Sequence, residues 1–336
     1  MKPSQLISHL TTSIRQGRKT LIKGPPGVGK SDLVETAAAA AGAELILSHP
    51  AVSDPTDYKG MPAVNAAGTE AHFLPFGDLN ALIQANQPTV CFLDDIGQAP
   101  HGVQAALMQL ILARRVNGHR ISDHVVFVGA TNDSSHRAGV HSILEPVKSR
   151  WGTIVSLDPD LNDWCAWALG PGNMPSELIG FIRFRPELLC KFEPTRELTN
   201  SPSPRTVAEC GRWLQDWGNT MPDYALEVLT GAAGAGFAAE LLGFLRIYRD
   251  LPSIDQILLD PSRAPVPREP ASLYAVVAAL TRRFTKDAAH ACFTYAARLP
   301  KEHEVMLVKD AQRANPDLLK AREFTEWFLR NGKLFS

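Results

Sequence analysis

The sequence predicts an α/β fold, a parallel sheet flanked by helices, followed by an all-helical remainder. Three observations lead there. The first half alternates apolar strand-like runs with amphipathic helices, a glycine-rich loop joins one run to the next helix, and the strand-like runs stop after about Asp158.

Taken in order, the elements are "KTLIKG", "KSDLVETAAAAAG", "ELILSH", "GDLNALIQANQ", "TVCFLDD", "GVQAALMQLILARRV", "HVVFVGATN" and "TIVSLD". In the helix near Val103, apolar residues at Val103, Ala106, Leu107, Leu110 and Ile111 follow helical spacing, so one face packs and the other is free. "TVCFL" reads as a buried strand that delivers two aspartates, Asp94 and Asp95, to a loop at its C-terminal end. Beyond Asp158 the segments read as helices broken by proline and glycine. The proline-rich stretch "DPSRAPVPREPAS" from Asp260 sets off a last unit made of "LYAVVAALTRRF", "DAAHACFTYAARL", "HEVMLVKDAQRAN" and "LLKAREFTEWFLRNG". The expected organisation is an α/β domain over 1–158, a helical unit over 159–260 and a C-terminal helical extension over 261–336.

A chain of 336 residues with 45% apolar content is long enough for two domains and a small third. Lys plus Arg (34) nearly balance Asp plus Glu (35), so a polyanion would have to bind a local patch rather than the whole-chain field. The five cysteines are widely spaced and include no C-x-x-C pair, which argues against a disulfide framework or zinc ribbon and for a reducing, cytoplasmic compartment. The N-terminal stretch is too polar for a signal peptide, and the most apolar run, "GAAGAGFAAELLGFL", is too short to span a bilayer, so no membrane anchor is expected.

"GPPGVGKS", Gly24 to Ser31, fits G-x-x-x-x-G-K-[ST] between a strand and a helix, the context that a phosphate-binding loop requires. Glycines let the backbone amides turn inward around phosphates, and the following helix adds partial positive charge. The expected nucleotide contacts are Gly24, Pro25, Pro26, Gly27, Val28, Gly29, Lys30, Ser31 and Asp32, with Lys30 on the outer phosphates. Ser31 and Asp94 would hold magnesium, and the expected ligands are ATP and Mg2+.

These motifs resemble the AAA+ ATPases, and within them the MoxR type, over roughly residues 15–210. The resemblance implies a P-loop AAA+ sheet followed by an all-α lid, and it implies roles for further residues. "VFVGATND" is similar to the sensor strand, which makes Asn132 a residue near the terminal phosphate. "LEPVKSRW" resembles the segment that ends in an arginine finger, here Arg150, offered to a neighbouring subunit's nucleotide. "NSPSPRTVAE" resembles the second sensor, with Arg205 at the start of a lid helix. Asp95 stands where the family more often has glutamate, and its expected role is to orient or deprotonate the attacking water. "SDPTDYKGMPAVNAAGTEAHFLPFGDL" is similar to the helix-2 insertion, with a hairpin around "NAAGT". "ARRVNGHRISDH" is similar to the hairpin before the first sensor, whose Arg114, Arg115, His119 and Arg120 would line a pore or remain a solvated charged turn.

The function that the resemblance implies is a ring-forming ATP hydrolase, a homo-oligomer with six subunits, that remodels or loads a protein client in the manner of a chaperone. The client class it implies carries a von Willebrand factor A domain. Two rivals stand beside it: a nucleic-acid-stimulated motor or loader of the same fold, less favoured because of the balanced charge, and an ATP-gated interaction module with little hydrolysis, favoured by the short carboxylate at Asp95.

Overall fold

Residues 1–132, 143–192, 199–218 and 220–332 are described by the structure, a computed structural model, and the chain divides into two compact units. The first covers Met1–Pro159 and the second begins at Asp160.

The first unit opens with α1 (Pro3–Arg15), β1 (Thr20–Gly24), α2 (Lys30–Ala41) and β2 (Glu44–Ser48). A long connection carries α3 (Pro55–Lys59) and the hairpin β3 (Met61–Val64) and β4 (Ala71–Leu74). Next come α4 (Gly77–Gln84), β5 (Thr89–Leu93), α5 (His101–Ala113) and a second hairpin, β6 (Arg115–Val116) and β7 (His119–Arg120). β8 (Val125–Asn132), α6 (Glu145–Lys148) and β9 (Thr153–Ser156) complete it. Each strand and helix expected in this half is present, and both hairpins form where their turn residues indicate.

Five strands make one parallel sheet in the order β2-β5-β8-β1-β9. Period-two alternation sends neighbouring side chains to opposite faces. Ile22, Val90, Phe92, Val128 and Ala130 face α1 and α2, where they meet Leu6, Leu10, Val34 and Ala37. Leu21, Cys91, Leu93, Val125 and Phe127 face the other way, onto Leu79 and Leu82 of α4 and Val103, Leu107 and Leu110 of α5. Phe92 and Phe127 are fully enclosed on the two faces, and burial of each contributes about 1.5–3 kcal/mol. This sandwich holds the strand ends rigid. In register, Gly24 of β1 lies opposite Asn132 of β8, and Leu93 of β5 lies opposite Gly129. Three loops therefore leave one edge of the sheet side by side, the usual place for a ligand in an open parallel sheet.

The second unit is helical: α7 (Leu161–Leu169), α8 (Ser176–Phe184), α9 (Pro204–Trp217), α10 (Ala225–Ala233), α11 (Ala235–Arg249), α12 (Ile254–Leu259), α13 (Pro270–Arg283), α14 (Ala289–Ala296), α15 (Lys301–Ala314) and α16 (Arg322–Asn331). One apolar cluster gathers α7 to α11 around Phe181, Phe237 and Leu241. A second gathers α12 to α16 around Val276, Phe284, Tyr295 and Trp327, and it includes Ala264 from the proline-rich stretch. That stretch is therefore packed rather than a free spacer. Gly180 of α8 lets α13 approach, since a Cβ there would lie 2.9 Å from that of Ala278. Arg183 of α8 donates to Asp310 Oδ1 of α15 at 2.6 Å, and both are buried. No helix among the described residues is long and apolar enough to cross a membrane.

Candidate functional site

The loop between β1 and α2 is built by its glycines. Gly24 lies so close to Leu157 that a Cβ would sit 2.8 Å from the Leu157 carbonyl oxygen. Gly29 has φ 91°, a left-handed conformation that glycine adopts freely, and α2 starts at the next residue. Lys30 is buried, and its Nζ donates to the carbonyls of Gly24 (3.2 Å) and Pro25 (3.0 Å) and to Asn132 Oδ1 (2.8 Å). An ammonium has three donors, so an incoming phosphate must take over some of these bonds.

Ser31 Oγ, in the first turn of α2, donates to Asp94 Oδ2 at 2.6 Å. Asp94 is 9% exposed and held by its backbone, whose N–H donates to Ser48 O at 2.9 Å. Its other oxygen accepts from the Asp95 N–H at 3.0 Å. Ser31 and Asp94 thus bring two hard oxygen donors together beside the loop, the type that magnesium takes along with water and phosphate oxygens.

Asp95 sits at φ 52°, ψ 35°. Among residues with a side chain, Asp and Asn tolerate this left-handed region best. Its Oδ1 accepts from Asn132 Nδ2 at 3.3 Å. Asn132 therefore bridges Lys30 and Asp95, and one hydrogen-bonded network joins Lys30, Ser31, Asp94, Asp95 and Asn132. With this turn the short carboxylate of Asp95 meets Asn132 directly.

Two other expected residues are not in this network. Arg150 precedes β9, whose Thr153 is in register with Thr20. It therefore lies at the start of β1 while the loop lies at its end, and four strand steps of about 3.3 Å put roughly 13 Å of sheet between them. Its Nη1 donates to Ser149 Oγ at 3.0 Å, and its Nε is enclosed with no partner among the described residues. Near it, Lys19 donates to Ile111 O at 3.1 Å. Burial lowers the Lys19 pKa, and the Arg114 and Arg150 guanidiniums press it down further. Arg205 belongs to the second unit, in the first turn of α9, where Ser203 and Thr206 form a capping box behind Pro204. It is exposed.

Polar residues in and beside the second hairpin bond to other groups of the protein. Arg114 donates to the carbonyls of Ser122 and Val125, and Arg120 pairs with Asp123. His119 Nε2 meets Phe73 O at 2.7 Å, and Asn117 Nδ2 donates to Lys59 O at 2.8 Å, so the two hairpins are fastened to each other. Of the four basic residues expected at a pore, Arg114 and His119 are engaged in this framework. Asn117 (φ 46°) and Gly118 (φ 89°) supply the left-handed pair that so tight a turn requires.

Sequence reasoning missed Tyr58. It is buried in the first insertion, with its hydroxyl 2.8 Å from Ser48 Oγ and 3.2 Å from Ser53 Oγ. It pins the insertion to the strand end that also holds Asp94. The available signal was an aromatic residue in the polar segment "SDPTDYKG" that opens the insertion.

A family model described as an AAA domain of the dynein-related subfamily matches residues 19–151. No curated protein matches the chain. Among solved structures, the chain is similar to the RuvB Holliday junction branch migration motor of Thermotoga maritima, at 18% identity over 82% of this chain and 80% of that one, with a TM-score of 0.42. It is also similar to NtrX from Brucella abortus in complex with ADP, at 16% identity over 99% and 68% of the two chains, with a TM-score of 0.36. The family match spans the phosphate loop, four of the five strands of the sheet and the Asp94–Asp95 turn, so residues 19–151 form a P-loop ATPase domain of the AAA type.

Proposed function

We propose that the protein is a ring-forming AAA+ ATPase of the MoxR type that uses Mg-ATP binding and hydrolysis to remodel or load a protein client. The observation that carries the ring is the separation of Arg150 from its own phosphate loop by the length of β1. A guanidinium there can reach a phosphate only on another copy of the chain, where its fixed charge would stabilise the transferring phosphoryl group.

Within one subunit the roles follow the network. Gly24 to Gly29 wrap the phosphates, and Val28 and Asp32 flank that loop. Lys30 exchanges its carbonyl partners for phosphate oxygens. Ser31 and Asp94 hold magnesium, which when bound neutralises charge on the outer phosphates. Asp95 orients or deprotonates the attacking water, and Asn132 holds Asp95 and Lys30 in register. On this reading 159–260 forms the lid, with Arg205 directed to the nucleotide, and 261–336 a C-terminal extension. Hexamer and von Willebrand factor A client come from the resemblance, and the cytoplasmic location from the five cysteines, whose thiols suit a reducing compartment.

The test is steady-state ATP hydrolysis over a range of subunit concentrations, beside Asp95→Asn. Turnover per subunit should rise with concentration and collapse in the variant. ATP binding without hydrolysis at any concentration would replace this reading with a nucleotide-gated interaction module.

A further inference from the structure

Three cations meet at the start of β1, away from the phosphate loop. Lys19 donates to Ile111 O in the last turn of α5, and Arg114, which caps that helix, donates to the Ser122 and Val125 carbonyls. Thr153 N–H donates to Lys19 O at 3.2 Å, which draws the Arg150–Trp151 turn alongside Lys19. None of the three forms an ion pair among the described residues. Their charges act on one another: Lys19 is easier to deprotonate than an ordinary lysine because of burial and then of both arginines.

Among the described residues the acid that Arg114 acts on is Asp123, which is exposed and already paired with Arg120, so the crowded like charges still raise the energy of the lone chain. A breach of this kind points to a group kept for use. Lys19 and Arg114 already spend donors on carbonyl oxygens, whereas among the described residues the Arg150 guanidinium meets the Ser149 hydroxyl alone.

We infer that Lys19 is a positioning residue for Arg150: with Arg114 it keeps this edge of the sheet positive, so that the Arg150 guanidinium acquires no partner within its own subunit and is presented to the nucleotide phosphates of a second copy. The inference rests on the proposed reading of Arg150 as a residue acting in trans. Lys19 touches no substrate; it acts through Arg150.

The experiment is ATP turnover by the full chain at saturating ATP, with ATP affinity and melting temperature measured on the same samples. Lys19→Glu offers Arg150 an internal carboxylate and should lower turnover about fivefold, the scale of a partly exposed ion pair. Lys19→Arg should match the wild type and Lys19→Gln should fall between, with ATP affinity unchanged throughout. In an Arg150→Ala background, Lys19→Glu should add nothing. Equal turnover for all Lys19 variants while Arg150→Ala is inactive overturns the role of Lys19 and leaves the trans reading standing. Normal turnover in Arg150→Ala overturns the trans reading itself. If Lys19→Glu does not fold, the comparison of Lys19→Arg with Lys19→Gln decides, equal turnover counting against the inference.

Discussion

Ser31 Oγ donates to Asp94 Oδ2 at 2.6 Å, joining the first turn of α2 to the end of β5. This bond fixes the spacing of the two oxygens within the protein itself. If both oxygens serve magnesium, Ser31→Ala should weaken ATP binding in the presence of magnesium by at least ~10-fold, the lower end of what even outer-shell ligand partners cost. Binding in the presence of a chelator should hardly change. Calorimetric titration with and without magnesium makes the comparison, and equal losses in both would remove Ser31 from the metal site.

Asp95 combines a left-handed backbone with a carboxylate that meets Asn132. Asn tolerates the same backbone, so Asp95→Asn should fold and bind ATP like the wild type while hydrolysis falls ~10²–10⁴-fold, the range for loss of a general base. Asp95→Ala should show the same catalytic loss and in addition a stability deficit of about 1 kcal/mol from the left-handed conformation. Chemical denaturation beside turnover separates the two effects.

Arg150→Ala should leave ATP affinity intact and lower turnover by about 10³-fold. Because Arg150 and Asp95 would then serve different subunits of one interface, mixing inactive Arg150→Ala with inactive Asp95→Asn should restore part of the activity. Mixtures no more active than their components would show that the two residues act in the same subunit or not at all.

His303 gives the second unit a pH dependence. The residue is 4% exposed, packs edge-on against Tyr274 at 4.9 Å between centroids, and has no hydrogen-bond partner at either ring nitrogen among the described residues. Burial lowers its pKa, and Glu302, the nearby acid, opposes this only in part. The unfolded chain therefore binds the proton more readily than the folded one, and stability rises with pH. The contribution is complete above the unfolded value of about 6.5 and is lost as pH falls below it. Melting temperature should decline on acidification from about pH 7 to 5, and His303→Phe should flatten that decline.

The buried Arg183–Asp310 pair joins α8 to α15. Arg183→Met should destabilise by about 3 kcal/mol, the lower end for breaking a buried pair, because it leaves the buried carboxylate only the more distant Arg313 guanidinium at 3.6 Å, while Arg183→Met combined with Asp310→Leu should recover most of the loss. Urea denaturation of the single and double variants checks this.

Much of the fold could be read in the linear chain because its signals are local. The apolar period of α5, the runs of β5 and β8, and the glycine spacing of the phosphate loop each express a backbone preference within a few residues. The candidate site was legible by motif: Lys30, Ser31, Asp94, Asp95 and Asn132 stand at strand and helix ends that the alternation of elements already marks.

Other features depended on residues far apart in sequence. Asn132 meets both Lys30 and Asp95 only because β8 lies between β5 and β1. The left-handed turn at Asp95, the anchoring of Tyr58 on Ser48 and the fastening of one hairpin to the other through His119 and Phe73 leave no periodic trace. Local sequence thus determined which elements form and which chemical groups stand at their ends, since propensity and spacing act over one or two turns of chain. Tertiary structure alone decided which of those groups share a hydrogen bond and which, like Arg150, stand a strand's length from the loop, because strand order and register are set by long-range packing of the core.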